Sequence, residues 1–236
     1  MTYHTAKSQE DSMNEPVFRD RAQAGQCLGE ALTKYANRDD VIVIGLPRGG
    51  VPVAYEVAKR LNAPLDVIVV RKLGVPGHAE LAMGAIASGG AKVTQDAVIH
   101  AMGVSHFSLE TVAAAELKEL HRRELVYRGH SCPPDVRDKT VILVDDGIAT
   151  GSTIRAAILA LRHQEPREII VAVPVASAEA HAMVTLFVDH CISLITTAKF
   201  QAVSQWYGVF PQTTDEEVKR LLGKSRSAAL APQCET

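Results

Sequence analysis

A chain of 236 residues with 47% hydrophobic content carries ample apolar surface for one large or two small packed domains, which excludes disorder throughout. Its 25 Lys and Arg against 27 Asp and Glu leave a net charge of -2, so no general field attracts nucleic acid or anionic lipid, and any anion site must be local. No apolar run approaches the roughly 18 residues that span a bilayer, and residues 1–15 lack the apolar centre of a secretion signal, so the expected setting is cytoplasmic and away from membranes.

In chain order, the polar residues 1–15 read as a flexible tail. Asp20 can cap a helix whose apolar positions Ala24, Leu28, Leu32 and Tyr35 keep helical spacing. The uniform run 41–46, VIVIGL, reads as a parallel strand covered on both faces, and Val53, Val57 and Leu61 place a helix over 51–62. A second strand is expected at 65–70 and a weaker one at 84–88, followed by a longer helix over 107–128. The strand–helix–strand pattern recurs as 141–144, 151–163 and 168–175, with a last strand at 191–195. Residues 223–236 read as a second flexible tail. The four cysteines, at 27, 132, 191 and 234, show no metal-like spacing and read as reduced, mostly packed thiols. This alternation predicts an α/β fold with an open, mostly parallel sheet of about five strands and helices on both faces, whose ligands bind outside the carboxyl ends of the strands.

Three loops leave those ends. In Val144-Asp-Asp-Gly-Ile-Ala-Thr-Gly-Ser-Thr153 a strand runs into two carboxylates and then a Gly- and hydroxyl-rich turn that opens a helix. Such a helix start suits a phosphate monoester, whereas Asp145 and Asp146 would repel one and so must face hydroxyl groups or a metal. A sugar phosphate satisfies both halves. The plainer alternative is that the acids end a strand and Thr150 or Ser152 caps a helix.

The segment VILVDDGIATGST resembles the phosphoribosyl-pyrophosphate (PRPP) motif of type I phosphoribosyltransferases, and the resemblance extends over about residues 18–222. It is nearest a group of bacterial members whose acceptor is unsettled. The resemblance implies that Asp145 and Asp146 contact the ribose hydroxyls and hold Mg²⁺ directly or through water or those hydroxyls, and that Ala149, Thr150, Gly151, Ser152 and Thr153 hold the 5′-phosphate. Purine-salvage members acting on hypoxanthine and guanine carry Asp where this chain has Ala149, so no general base follows from the match. Residues 16–222 would form a single domain, with a small hood over the base from the chain ends, about 16–38 and 196–222.

The second loop, Leu46-Pro-Arg-Gly-Gly-Val51, resembles the family's pyrophosphate loop, with Arg48 beside Gly49 and Gly50, which permit close backbone approach. The resemblance implies a non-prolyl cis bond at Pro47–Arg48. No GK[ST] follows, so this is not a Walker A loop. The third loop, 71–80, reads as a mobile cover, and Arg71 and Lys72 resemble the family's basic pair that meets the leaving pyrophosphate. His78 and Glu80 are weaker candidates, and His121 with Glu124 makes an unimpressive metal site. Phe200, Trp206, Tyr207 and Phe210 cluster either as a satellite core or as a wall. Phe200, Trp206 and Tyr207 are the candidates for stacking on an acceptor.

The implied activity is Mg²⁺-dependent transfer of ribose 5-phosphate from PRPP to a base or amine, with Arg71, Lys72, Asp145 and Asp146 as the catalytic set. Small-molecule substrates are the expected partners, with a homodimer open and nucleic acid excluded by the lack of a basic face or helix-turn-helix. The alternative is a regulatory protein that senses PRPP or a nucleotide without turnover.

Overall fold

A computed structural model describes residues 17–129 and 133–230; the tail expected at 1–15 and the thiols of Cys132 and Cys234 lie outside them. Five strands, Val41–Gly45 (β1), Leu65–Val67 (β2), Thr140–Val144 (β6), Glu168–Ser177 (β7) and His190–Thr197 (β8), form a wholly parallel sheet in the order β2-β1-β6-β7-β8. The expected α/β architecture is therefore present. Because side chains alternate across a strand, Val41 and Val43 of β1 enter one core while Ile42 and Ile44 enter the other. On the first face lie helices Arg21–Ala31 (α1), Gly50–Leu61 (α2), His106–Arg128 (α4) and Asp215–Leu230 (α7), and on the second Ser152–Arg162 (α5) and Ala178–Thr185 (α6). Two covered faces explain why β1 and β6 are buried at every position, each buried Val or Ile contributing about 1.5–3 kcal/mol.

Local signals set the helix ends, with the Asp20 cap as expected. The Asp20 carboxylate accepts the Gln23 N–H at 2.8 Å to start α1, and Asn62 closes α2 in the left-handed region.

The segment 65–88 differs from its expected form. The run 65–70 breaks after Val67, and Val70–Val75 (β3), His78–Ala87 (β4) and Ala91–Thr94 (β5) make a separate antiparallel sheet, followed by helix Asp96–Ala101 (α3). The mobile cover expected at 71–80 is thus largely strand, and 84–88 belongs mainly to β4 rather than to the parallel sheet. Pro76 and Gly77 suggest a loop by composition, but they form a tight turn with Gly77 at φ +79° while Leu73 and Val75 bury against the first core. Arg128 fixes the departure point, donating to the Asp66 carboxylate at 2.9 Å and to the Val67 carbonyl.

At the other end α7 runs through Leu230, so residues 223–230 are helical rather than a tail, anchored by buried Val218, Leu221 and Leu222. The chain ends meet: Phe18 bridges Tyr207, with the Phe18 N–H donating to the Trp206 carbonyl at 2.9 Å and the Gly208 N–H to the Phe18 carbonyl at 2.8 Å. Among the described residues no helix is long and apolar enough to cross a membrane.

Candidate active site

The carboxyl end of β6 delivers Asp145 and Asp146 into a crowded polar centre. The Asp146 N–H donates to Asp145 Oδ1 at 2.9 Å, and Tyr207 donates its hydroxyl to the Asp146 carbonyl at 2.5 Å. Burial, reinforced by the Asp146 charge, pushes the Asp145 carboxyl well above the usual carboxylate range. Burial also raises Asp146, against the pull of Arg21, which donates Nε and Nη2 to its Oδ2 at 2.9 and 2.8 Å. The Tyr207 phenol is raised by burial and by the neighbouring acids.

From these acids the chain turns through Gly147–Gly151 into α5. The turn is stitched to β7, since the Ile148 N–H donates to the Val175 carbonyl and the Ser177 N–H returns to the Ile148 carbonyl, both at 2.9 Å. Ser177 adds a hydroxyl bond to the Ala149 carbonyl at 2.8 Å. Gly151 sits at φ +74°, a conformation that glycine adopts without the Cβ clash. The result is a cleft of ≈ 180 Å³ lined by Asp145, residues 147–154 and Val203, at the open N-terminus of α5. Thr150, Ser152 and Thr153 are exposed there, so hydroxyl donors and the positive end of the helix converge on one small volume.

The turn after β1 packs directly beneath the acids. The Leu46 N–H donates to the Val144 carbonyl at 2.9 Å, and Pro47–Arg48 is a cis peptide, as the resemblance implies. A Cβ on Gly49 would stand 2.1 Å from Asp146 Oδ2, and one on Gly50 would stand 2.7 Å from the Val144 carbonyl oxygen. The Gly50 N–H is committed to the Leu46 carbonyl at 3.0 Å, so Gly50 serves close packing rather than direct donation to an anion. Arg48 lies 3.9 Å from Asp215 at the start of α7, and the same carboxylate oxygen accepts the Tyr127 hydroxyl at 2.8 Å. Desolvation and that carboxylate push the Tyr127 phenol up to about 12.

The remaining candidates separate. Arg71 and Lys72 are successive residues of β3 and face opposite sides. Arg71 pairs with Glu116 of α4 at 2.6 Å, whereas Lys72 lines a ≈ 90 Å³ cavity with Ser152 and Arg155 of α5. His78 borders a different cavity, beside Met102–Ser105. The side chain of Glu80 lies outside the described ones. Glu124, paired with His121 in the sequence reading, receives Arg128 at 3.5 Å instead. Phe200 and Trp206 stack on each other at 6.5 Å, and Tyr207 is buried under the acids between Phe18 and Phe210. None of these three lines the cleft of ≈ 470 Å³ beside the acids, whose aromatic wall is Phe210.

Sequence reasoning missed Arg21, which brings a guanidinium from 125 residues away to Asp146 and lays it 3.7 Å over the Phe210 ring. No local pattern marks such a contact. It also missed Asp215, which reads as an ordinary first-turn helix acid.

Residues 21–205 match the family model described as the phosphoribosyl transferase domain. A Mycobacterium tuberculosis protein provisionally named a phosphoribosyl transferase is 42% identical over 210 residues, covering 89% of this chain and 47% of that protein. The chain thus spans about half the length of that curated relative. The Bifunctional protein PyrR of Clostridium acetobutylicum is 28% identical over 176 residues, 74% of this chain and 78% of that one. The crystal structure of the Thermus thermophilus protein TT1426 superposes with a TM-score of 0.80 at 40% identity, covering 88% of this chain and 98% of that chain.

Proposed function

The chain belongs to the phosphoribosyl transferase domain family, and from that premise we propose that it transfers the ribose 5-phosphate group of PRPP to a nitrogenous acceptor with release of pyrophosphate. One observation carries the reading: a pair of half-buried acids stands between a small hydroxyl-lined cleft at a helix N-terminus and a larger cationic cleft. A phosphate with no sugar would meet two carboxylates, whereas a sugar phosphate presents hydroxyls to them.

In this reading Thr150–Thr153 and the N–H groups opening α5 anchor the 5′-phosphate, while Asp145 and Asp146 hold the ribose hydroxyls. Arg48 faces the pyrophosphate, and Lys72 of β3, which shares a cavity with Ser152, adds charge as the leaving group gains it, whereas Arg71 would join it only by leaving Glu116. Gly49 and Gly50 keep the turn close to the acids. The protein's work is positional and electrostatic, and no covalent nucleophile is required.

Among the described residues no three His, Cys, Asp or Glu side chains gather as a metal cage. Two adjacent carboxylates nonetheless fit Mg²⁺, which commonly takes one or two carboxylates and completes its shell with water and substrate phosphates. Asp145 and Asp146 would hold the ion, which when bound neutralises charge on the pyrophosphate.

The test is labelled PRPP with Mg²⁺ against a pool of bases and amines. Pyrophosphate release together with a labelled product supports the transferase. Tight PRPP binding without any release would make the protein a sensor, and absence of binding would remove PRPP from the account.

A further inference from the structure

Resting on the phosphoribosyl reading, we propose that the acceptor is an anion and that Arg21 is the residue that recognises it. The ≈ 470 Å³ cleft is lined by Arg21, Arg48, Asp146, Phe210, Gln212 and Thr213 with their neighbours, two guanidinium groups against a single carboxylate. Arg21 is fixed in place by three kinds of contact. It donates to Asp146, gives Nη1 to the Pro211 carbonyl at 2.7 Å, and stands over the Phe210 ring. Its side chain is only 11% exposed, so this charge has left most of its water.

With Arg48 and its turn facing the pyrophosphate and Asp146 facing ribose hydroxyls, Arg21 remains a desolvated cation whose carboxylate partner is shared with the sugar. Its contacts with Asp146 and Pro211 use one N–H each of Nε, Nη1 and Nη2, and the other guanidinium N–H groups, beside the open cleft, are what an acceptor carrying negative charge would engage. The guanidinium fork suits a planar carboxylate or the oxygens of an ionised ring imide.

Proton bookkeeping points the same way. Among the described residues lining the cleft there is no His, Cys, Lys or Tyr, and the one carboxylate is engaged by Arg21. The attacking nitrogen should therefore arrive with a lone pair and no proton to remove, as in a pyridine-type ring bearing a carboxylate or an imide already ionised. In the step, that lone pair forms the N–C1 bond as the C1–O bond to pyrophosphate breaks, and the bonding electrons leave on the pyrophosphate oxygen. The protein moves no proton.

The experiment uses the full chain with labelled PRPP, Mg²⁺ and matched acceptor pairs. Pyridine-3-carboxylate against pyridine-3-carboxamide tests the carboxylate, and 5-fluorouracil against uracil tests the ionised imide. For at least one pair, wild type should favour the charged or more acidic member in kcat/KM by about tenfold or more, the factor expected for one charge-assisted hydrogen bond. Arg21→Gln should collapse that ratio towards one, and Arg21→Lys should keep part of it. The ratio is read within one protein, so any change in PRPP affinity cancels, and the wild-type preference stands as a test even where a variant fails to fold. Equal or reversed preference in both pairs overturns the inference, as does a ratio unchanged in Arg21→Gln. PRPP binding with no turnover of any member also overturns it while leaving the PRPP site in place. No PRPP binding at all overturns the phosphoribosyl reading and this inference with it.

Discussion

Residues 147–154 build most of their cleft from one continuous stretch of chain, stitched to β7 by main-chain bonds at 2.9 Å, with Asp145 and Val203 completing the lining and Val203 shared with the neighbouring cleft. The neighbouring cleft gathers Arg21 from α1, Arg48 from the turn after β1 and Phe210–Thr213 from the segment before α7. Asp145 lines the first and Asp146 the second, so the adjacent acids form the wall between them, and the two clefts differ in what holds them. Backbone geometry fixes the first, whereas side-chain contacts between distant segments fix the second: Arg21 with Asp146, Tyr207 with the Asp146 carbonyl, and Arg48 near Asp215. A phosphate site of the first kind can stay constant while substitutions in the second change the acceptor.

That contrast can be broken at three points. The largest effect is expected at Gly50, which packs against the backbone that carries the acids. An added Cβ would stand 2.7 Å from the Val144 carbonyl and 2.8 Å from Asp145 Cα, backbone atoms that cannot swing away. Gly50→Ala should cost about 1–3 kcal/mol and lower Tm by several degrees in a scan, with weaker PRPP binding. An unchanged Tm would show that the turn is looser than its packing implies.

Tyr207→Phe should cost about 1 kcal/mol in denaturant unfolding, because it leaves the Asp146 carbonyl without its hydroxyl donor. It should weaken the cleft built from the chain ends more than the phosphate loop, so anionic-acceptor KM should rise further than the Kd for PRPP. Equal changes would argue that the two regions are one mechanical unit.

The smallest effect concerns pH. Asp145 is held above its unfolded value of 3.8, so above that pH the unfolded chain loses this proton more readily and the ionised carboxyl destabilises the ligand-free fold. The stability contributed by the protonated form is fully present below pH 3.8 and is lost as pH rises through the folded value. Asp145→Asn should therefore be more stable than wild type at neutral pH without ligand, with the gap closing as the pH falls toward the unfolded value. A constant gap would mean that Asp145 contributes through shape alone.

The same division explains what the sequence revealed. β1, β6 and β7 are legible because two covered faces demand uninterrupted apolar runs, and the phosphate loop is legible because all its donors are consecutive. The break after Val67 was hidden, since Ile68 and Val69 are as buried at the junction as they would be inside the parallel sheet. The β3–β4 hairpin was hidden by its Pro-Gly turn, which has a loop's composition. Arg21 and Asp215 could not be read at all, because their roles come from where α1 and α7 pack. Phe210 was visible as one of a cluster, but which ring faces the cleft is decided by Tyr207 turning its hydroxyl inward to Asp146.

The most direct test of the central claim is calorimetric titration of PRPP with Mg²⁺ into wild type and into the Asp145→Asn, Asp146→Asn double variant, with folding checked by circular dichroism. The account predicts saturable binding to wild type and at least a hundredfold loss, about 2.7 kcal/mol, in a variant that remains folded. Equal binding by both proteins would contradict it, and would mean that the paired acids at the end of β6 do not hold the ribose.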